Sequence, residues 1–274
     1  MALRKIIVVL FALLIAFSGM AYAAGDDFTF SVVSDTHLIK NDGGPFRVYP
    51  SVRRIVSDII NERPDFVVHC GDMIQTRYSK PNTDQSIRDM WDMFDESVYE
   101  PFKKAGIDMF IAKGNHDVVF NAKTIFPERW RDRKFAKGLT GEDICRYYSF
   151  EHKGCLFIFV DDSAIAMTSE QVEWLRKKVD EGRNYRAVFV VMHIGLKGSE
   201  RHPDEKAIEP VRQILSEAPY RLTVLSGHHH KFDVTDFGNA RNIIIGTAGK
   251  EKGGAMKMDV SVRGKEVFIK TCIY

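Results

Sequence analysis

The sequence contains little cysteine. Four cysteines stand among 274 residues, and none of them forms a Cys-x-x-Cys pair. This number excludes a dense disulfide framework, so we expect small buried hydrophobic side chains instead. A single Cys145–Cys155 bridge is the alternative, since export of the chain would permit it. The four positions are Cys70, Cys145, Cys155 and Cys272.

A surplus of charge is also missing. Lys and Arg number 39 and Asp and Glu number 37, so the formal net charge is +2. A general binder of nucleic acid or of an anionic membrane needs a surplus of basic residues, so we expect no stable nucleic-acid partner. There is no internal repeat, no low-complexity segment and no linker rich in Pro, Gly or Ser. One domain over residues 24–274 is therefore expected.

Long apolar runs are absent except near the N-terminus. Arg4 and Lys5 precede an apolar run from Ile6 to Phe17, and Ala21-Tyr22-Ala23 follows with a small-x-small pattern. This order predicts a secretory signal peptide over residues 1–23, and therefore an exported chain, periplasmic or secreted. Its removal would leave equal numbers of basic and acidic side chains and no membrane contact. The alternative is an uncleaved membrane anchor, because the following residues could lengthen the run.

Short β-rich runs alternate with helical patterns along the rest of the chain. Strands that alternate with helices favour an α/β sheet with parallel pairs, while a hairpin and a helix-poor tail add antiparallel strands. We expect an α/β fold in which two mixed sheets pack face to face with helices outside. The predicted strands are Phe28–Ser34, Asp65–Cys70, Asp108–Ala112, Tyr147–Phe150, Cys155–Val160, Ala187–Met192, Arg221–Leu225, Asn242–Thr247, Ala255–Val260 and Glu266–Cys272. The predicted helices are Ser51–Asn61, Asp84–Lys104, Thr168–Asp180 and Asp204–Ser216, the last interrupted by Pro210.

Polar side chains follow five of the predicted strands, most of them beside a glycine. Ligands of open α/β sheets bind at the carboxyl ends of the strands, so these side chains can converge on one point. The segments are Ser34-Asp35-Thr36-His37, Gly71-Asp72, Gly114-Asn115-His116-Asp117, His193 and Gly227-His228-His229-His230.

Together these segments supply carboxylate, amide and imidazole donors without a thiolate. Such donors suit Mn, Fe, Zn, Co or Ni. The set exceeds what one ion needs, but it suits two ions about 3.5–4 Å apart that share a carboxylate and a hydroxide. Alone, each segment has an ordinary interpretation as a helix cap, a core histidine or a turn. Their joint occurrence at five strand ends favours the metal site.

The order of these motifs closely resembles the calcineurin-like metallophosphoesterase family, over most of the chain from Asp35 to His230. The resemblance implies a four-layer fold of two mixed β-sheets flanked by α-helices. It implies that Asp72 bridges two divalent or trivalent transition metal ions, that His116 faces the substrate without binding metal, and that Asp117 orients His116. The implied ligands are Asp35, His37 and His230 for the first metal and Asn115, His193 and His228 for the second.

The predicted reaction is the hydrolysis of a small phosphomonoester or phosphodiester. Two cations lower the pKa of a water molecule between them, so a metal-bridging hydroxide is the expected nucleophile for in-line attack. His116 would protonate the leaving group or stabilise the transferring phosphoryl group. Two alternatives stay open: a non-catalytic metal-binding or interaction module on the same fold, and a nuclease or nucleotide phosphodiesterase.

Two positions depart from the family pattern. Gln75 stands where the family often has the second Asp of Gly-Asp-x-x-Asp, and His193 is followed by Ile194-Gly195 rather than by Pro. Purple acid phosphatases, a branch of the family, have Tyr in place of Gln75 and Gly in place of His37. We therefore expect no ferric–tyrosinate centre.

Two loops are candidates for substrate contact. Residues 120–138 interleave basic and aromatic side chains that could bind a phosphate and stack a base, or could form a surface helix or loop that covers the core. Residues 195–206 form either a substrate clamp or a solvated loop. His229 lies between two proposed ligands and is expected to be structural, whereas His69 and His152 carry no motif. The side chains concerned are Arg129, Trp130, Arg131, Arg133, Lys134, Phe135 and Lys137 in the first loop and Lys197, Ser199, Arg201 and His202 in the second.

Overall fold

The computed structural model describes residues 27–40, 46–77, 79–164, 166–197, 205–250 and 253–274. The predicted signal peptide lies outside these residues, as do Ser199, Arg201 and His202 of the second candidate loop. Among the residues described, no helix combines the length and the apolar character that crossing a membrane requires.

Strands and helices follow one another much as the sequence predicts. In the described ranges the strands are β1 (Phe28–Val33), β2 (Ile39–Lys40), β3 (Phe46–Arg47), β4 (Phe66–His69), β5 (Asp108–Ile111), β6 (Tyr148–His152), β7 (Cys155–Phe159), β8 (Ala187–Val191), β9 (Leu222–Ser226), β10 (Asp233–Phe237), β11 (Ala240–Ile244), β12 (Met256–Arg263) and β13 (Glu266–Ile273). The helices are α1 (Pro50–Glu62), α2 (Asp84–Phe94), α3 (Glu100–Lys104), α4 (Asn115–Val118), α5 (Ala122–Trp130), α6 (Gly141–Cys145), α7 (Ser169–Glu181) and α8 (Glu205–Ser216).

Two mixed sheets form the centre of the molecule. The first has the order β13-β12-β1-β4-β5, in which β1, β4 and β5 are parallel and β12 and β13 are antiparallel additions. The second has the order β10-β11-β9-β8-β7-β6, with antiparallel strands at its two edges. This arrangement confirms the predicted α/β class with two mixed sheets.

The period-two pattern of the strands divides the core into layers. Phe157 and Phe189 point between the sheets, where their rings contact Phe30 of β1. Their neighbours Ile158 and Val190 point the other way, into a second apolar cluster with α7 and α8. A strand buried on both faces needs apolar residues at every position, which explains the continuous apolar runs of β7 and β8. The predicted four layers are therefore present.

The structure changes two helix predictions and confirms a third. The segment predicted as one helix from Asp84 to Lys104 is α2 and α3 joined by a π-helical turn, Asp95–Tyr99. Helix α8 continues through Pro210, so the predicted interruption is wrong. The predicted helix at Thr168–Asp180 is α7, and the hydroxyl of Thr168 caps it by accepting a hydrogen bond from Gln171 N at 3.2 Å.

The β-hairpin is confirmed, whereas the two-residue strands β2 and β3 and the longer strand β10 were not predicted. Strands β6 and β7 pair across Lys153-Gly154, whose φ angles of 44° and 73° suit a two-residue hairpin turn. Strand β10 was not predicted, because its alternation of half-buried and exposed residues gives little apolar signal. The strand predicted at 242–247 begins earlier, at Ala240.

All four cysteines carry free thiols, so the alternative of a Cys145–Cys155 bridge is wrong. Cys70 and Cys155 are buried, as expected of small hydrophobic side chains. Cys145 and Cys272 are half-buried.

Candidate metal centre

The seven predicted ligands follow strands of both sheets at one end of the sandwich. Parallel strands share the direction of their carboxyl ends, so the turns after β1, β4, β5, β8 and β9 meet there. Backbone hydrogen bonds join the turns to one another: Asp35 N donates to Gly71 O at 3.0 Å, and Gly227 N donates to His193 O at 2.9 Å. The turns therefore form one connected structure rather than five independent loops.

Asp35, His37 and His230 form the first group of donor atoms. Nε2 of His37 lies 2.9 Å from Nε2 of His230. Oδ1 of Asp35 lies 3.1 Å from Nε2 of His230 and 3.5 Å from Nε2 of His37. These are the three residues that the family resemblance assigns to the first metal.

The second group lies around Nε2 of His193. This atom is 3.1 Å from Oδ2 of Asp72, 3.0 Å from Oδ1 of Asn115 and 3.3 Å from Nδ1 of His228. The structure therefore brings Asn115, His193 and His228 together beside Asp72, as the sequence predicts.

Asp72 lies between the two groups. Its Oδ2 atom is 3.1 Å from Nε2 of His193 in the second group and 3.7 Å from Nε2 of His37 in the first. A single carboxylate oxygen thus faces donors of both groups, which is the placement that a bridging ligand requires.

The donor set suits transition metal ions. Two donors at about 2.1 Å from one ion and at right angles to each other lie about 3.0 Å apart, close to the separations in both groups. Oδ1 of Asp35 is buried and accepts no hydrogen bond from the residues that the structure describes. Buried carboxylate oxygens without a partner are costly, so a cation at this position would satisfy it.

Hydrogen bonding fixes which nitrogen of His193 faces the donors. Nδ1 of His193 lies 2.7 Å from the carbonyl oxygen of Cys70, to which it donates. This contact directs Nε2 towards Asp72 and Asn115, as the ring of a metal-binding histidine is commonly held.

The carboxylates of Asp35 and Asp72 and the imidazoles of the site shift one another's pKa values. Burial alone would raise the pKa of Asp35, but His230 and His37 hold it well below its usual range. Burial likewise disfavours the charged form of His193, yet Asp72 and Asp35 raise its pKa to about 10. Burial and the charge of His193 lower the pKa of His228 to about 3. The ionised carboxylates can bind a cation directly, whereas a cation at His193 must displace a proton.

The backbone of the site is strained. Positive φ angles are uncommon for residues with a Cβ and concentrate at functional sites. Gly114 adds a close approach, because a Cβ there would lie 2.2 Å from the backbone nitrogen of Asp72. The predicted ligands with positive φ are Asp35 (54°), His37 (45°), Asp72 (55°), His228 (65°) and His230 (56°).

His116 lies beside the donors, but a different residue from the predicted one holds its ring. Its ligand atom is within reach of those of His37 and Asp72, in a third group of possible metal donors. Nδ1 of His116 lies 2.6 Å from the carbonyl oxygen of Thr76, and Nε2 of Gln75 lies 3.2 Å from the same nitrogen. Asp117 was predicted to orient this ring, whereas the contacts described for its Nδ1 atom are with Thr76 and Gln75.

Asp117 instead holds the turns that carry the ligands. Its carboxylate accepts hydrogen bonds from the N–H groups of Asp72 (3.0 Å), Met73 (2.9 Å), Ile74 (3.2 Å) and Gly114 (2.8 Å). Burial and the charge of Asp72 raise the pKa of Asp117 to about 7, against the effect of the backbone donors. Asp117 therefore fixes the turn after β4 against the turn after β5.

Asp162, which was not among the predicted site residues, holds the turn after β8 of the second sheet in the same way. This buried carboxylate accepts hydrogen bonds from the N–H groups of His193 (2.8 Å), Ile194 (2.7 Å) and Gly195 (3.3 Å). It follows the buried strand β7, the same signal that singled out the other strand ends.

His69 was given no role, yet it links two ligand turns. Its Nδ1 accepts a hydrogen bond from Gly71 N at 3.2 Å, and its Nε2 lies 3.3 Å from Oγ1 of Thr36. Burial lowers the pKa of His69 to about 3, so the ring is neutral.

Residues 120–138 support the core-covering interpretation. Trp130 is fully buried and packs against Trp91 and Phe126. Arg133 stacks on Trp130 and pairs with Asp95, which also binds Arg129. Of the two interpretations, the structure therefore favours the one in which this segment covers the core.

The other singled-out side chains lie at the surface or in contacts of their own. Arg131 pairs with Glu142, and Lys197, in the second candidate loop, pairs with Asp233 at the start of β10. Lys137 and Asp65 both contact the ring of His152.

This fold and donor set define a class of phosphoester-cleaving proteins. A family model described as calcineurin-like phosphoesterase matches residues 28–232, and the chain belongs to this family. Members generally use a dinuclear metal centre.

Individual relatives are distant. Mouse serine/threonine-protein phosphatase CPPED1 is 23% identical, over 71% of this chain and 62% of that protein, so the chain spans less than two thirds of its length. A dimetal phosphatase from Danio rerio has a TM-score of 0.59 at 16% identity and covers 88% of this chain and 98% of its own. GAP50, the anchor in the inner membrane complex of Plasmodium, has a TM-score of 0.61 at 14% identity, with 89% and 84% covered. At these identities the structural likeness supports the fold.

Proposed function

We propose that this chain is a dinuclear-metal hydrolase that cleaves small phosphomonoesters or phosphodiesters. The observation that carries the proposal is the placement of Oδ2 of Asp72 between Nε2 of His193 and Nε2 of His37. A merely structural carboxylate has no need of imidazole donors on two sides.

The residues would divide between two ions. Asp72 would bridge them, and when bound, the ions supply an activated water molecule and positive charge for the phosphoryl oxygens. The other ligands are Asp35, His37 and His230 for one ion and Asn115, His193 and His228 for the other.

His116 would handle the proton of the leaving group. Its Nδ1 donates to the Thr76 carbonyl oxygen, so Nε2 is the nitrogen that we propose to carry the exchangeable proton. Burial lowers the pKa of His116, and the charge of Asp72 opposes this effect. A phosphate anion beside the ring would favour the protonated form further, which suits a general acid.

Hydrolysis of two chromogenic substrates tests the proposal. The purified chain, loaded with Mn²⁺, is assayed with 4-nitrophenyl phosphate and with bis(4-nitrophenyl) phosphate. We expect turnover of at least one ester, its loss on chelation and its return with added Mn²⁺. Metal-loaded protein that turns over neither ester nor any member of a wider phosphoester screen would contradict the proposal and favour a non-catalytic module.

The displacement should be direct, without a covalent phosphoenzyme. Rapid acid quenching of the chain with ³²P-labelled substrate should therefore leave no label on the protein. Label that survives denaturation and resides on one peptide would refute direct displacement while leaving the hydrolase assignment intact.

Export is proposed from the N-terminal sequence alone. Expression of the full chain in a bacterial host, followed by N-terminal sequencing of the periplasmic or secreted protein, should give a first residue of Ala24. A mature protein that retains Met1 would contradict cleavage and favour the membrane anchor.

A further inference from the structure

Strand β13 forms an open edge of the first sheet. It pairs with β12 on one side, and in the described ranges no strand pairs with its other side. Six of its eight residues are exposed. They include three large apolar side chains, Phe268 (48% exposed), Ile269 (37%) and Ile273 (71%). A long, exposed and apolar edge strand is a template for pairing with another strand.

The hydrogen-bond pattern shows which backbone groups the edge offers. Tyr274 N donates to Ala255 O at 2.8 Å, in register with the pairing of Cys272 with Lys257. Residues of an antiparallel strand alternate between bonding their neighbour and pointing away from it. The N–H and C=O groups of Val267, Ile269, Thr271 and Ile273 therefore point towards the open side.

Charges on this strand are symmetric about one residue. Glu266 and Lys270 lie two positions before and two positions after Phe268, on the same face of the sheet. In the register of β12 and β13, Glu266 lies opposite Arg263 and Lys270 opposite Asp259, but among the described residues no ion pair within 4 Å joins them. An antiparallel copy of the strand, centred on Phe268, would place each Glu266 opposite a Lys270.

We propose that the chain forms a homodimer in which β13 pairs antiparallel with β13 of a second copy, with Phe268 on the two-fold axis. The two five-stranded sheets then form one continuous sheet. Such an interface is isologous, so each favourable contact occurs twice. The inference rests on the fold and is independent of the proposed function.

This register gives both the side chains and the open backbone groups of β13 partners on the second copy. The two copies of Phe268 face each other, flanked by two Glu266–Lys270 pairs. Val267 of each copy lies opposite Ile269 of the other. The backbone N–H and C=O groups of these two residues point towards the open side, so they can form hydrogen-bonded pairs between the copies. A register centred on Ile269 would instead set Lys270 opposite Phe268 and Glu266 opposite Cys272, without ion pairs.

Sedimentation velocity of the full chain over a wide range of protein concentration tests the proposal. The unmodified chain should shift from monomer to dimer as the concentration rises. Lys270→Glu and Glu266→Lys should each weaken self-association by roughly tenfold or more, because both cross-strand pairs become like-charged. Lys177→Glu on α7 is the matched control, since it makes the same charge change on an exposed residue of the other sheet's helix layer.

Mixing the two single variants gives the decisive comparison. A Glu266→Lys chain beside a Lys270→Glu chain again has opposite charges at both positions, so the mixture should dimerise more tightly than either variant alone. Both side chains are exposed, and circular dichroism of each variant should match the unmodified chain. A chain that stays monomeric at all concentrations, or a dimer that neither variant weakens, would overturn the proposal. So would a mixture that associates no better than the single variants.

Discussion

Asp72 uses its two carboxylate oxygens in different ways. Oδ1 accepts a hydrogen bond from the backbone N–H of His116 at 2.8 Å. Oδ2 faces the imidazoles of His193 and His37. Asp72 therefore fixes the position of His116 through Oδ1 and offers Oδ2 as the proposed bridging atom.

Substitution of His116 tests its role as the acid. His116→Gln should lower kcat by about 10²-fold to 10⁴-fold for an alkyl phosphate, because the leaving alkoxide then lacks a proton donor. The loss should be smaller for 4-nitrophenyl phosphate, whose leaving group needs no protonation. Steady-state kinetics on both esters, with metal content measured in parallel, provides the comparison.

The metal content separates the acid role from a ligand role. It should stay at the level of the unmodified chain in His116→Gln. An equal decrease in kcat on both esters, together with a lower metal content, would instead indicate that His116 binds metal.

Asp162 is a positioning residue whose effect should reach the metal. Asp162→Ala leaves three buried N–H groups without an acceptor, each worth about 1–3 kcal/mol. We expect a free energy of unfolding lower by about 3 kcal/mol or more in urea titration, together with weaker metal retention in dialysis. Asp162→Asn keeps one acceptor oxygen and should lose less of both.

Ser163→Ala is the control for this substitution. Its hydroxyl donates to Asp161 rather than to a group of the His193 turn, at 2.5 Å. If the two variants had the same free energy of unfolding and the same metal retention, Asp162 would have no positioning role.

At the scale of elements, the site depends on turns that can approach one another closely because one turn of each pair carries a glycine. The turn after β5 reaches the turn after β4 at Gly114, where an added Cβ would lie 2.2 Å from Oδ1 of Asp72. The turn after β9 approaches the turn after β1 at Gly227 in the same manner, 1.9 Å from Oγ of Ser34. Both glycines lie immediately before predicted ligands.

Gly114→Ala should therefore displace Asp72. We expect loss of metal and of hydrolysis beyond the destabilisation that a single methyl group usually causes, measured by metal analysis and by thermal unfolding. Gly138→Ala adds the same methyl group where nothing lies within 4 Å, at a φ of 72°. It should cost about 1–2 kcal/mol of stability through backbone strain and leave the metal in place. Equal metal content in the two variants would contradict the close-approach argument.

The strands and the ligand motifs were predictable from the sequence for a common physical reason. A largely apolar strand that ends in a polar residue marks the edge of the sheet where ligands gather. Asp35, Asp72 and His193 all fit that rule. Asp162 fits it as well, although it contacts backbone N–H groups rather than a metal.

What the sequence did not show were contacts between distant segments. The family resemblance paired Asp117 with His116, whereas the hydrogen bonds of Asp117 reach the turn after β4. For the arginines of residues 120–138 the sequence left two interpretations open, because it does not show that Asp95 pairs with Arg129 and Arg133. Such pairings arise from tertiary packing and leave no local periodicity.

At the scale of the whole molecule, metal binding and folding are coupled. Strained ligands and closely packed charges are less favourable without cations, and anything that binds only the folded state stabilises it. A metal concentration one hundred times the Kd should raise the free energy of unfolding by about 2.7 kcal/mol. Thermal unfolding with and without Mn²⁺ or Zn²⁺ should therefore show a higher Tm with metal, and Mg²⁺ should have less effect. An unchanged Tm with every transition metal would contradict a preformed site.

The most direct test of the central claim is metal stoichiometry measured together with hydrolysis on the same preparation. Elemental analysis of the purified chain after metal loading should give two transition metal ions per chain. Chelation should abolish phosphoester hydrolysis, and Asp72→Asn should lower kcat by about a thousandfold or more while metal content falls. One ion or none at saturating metal, or hydrolysis that survives chelation and Asp72→Asn, would contradict the claim of a bridged dinuclear centre.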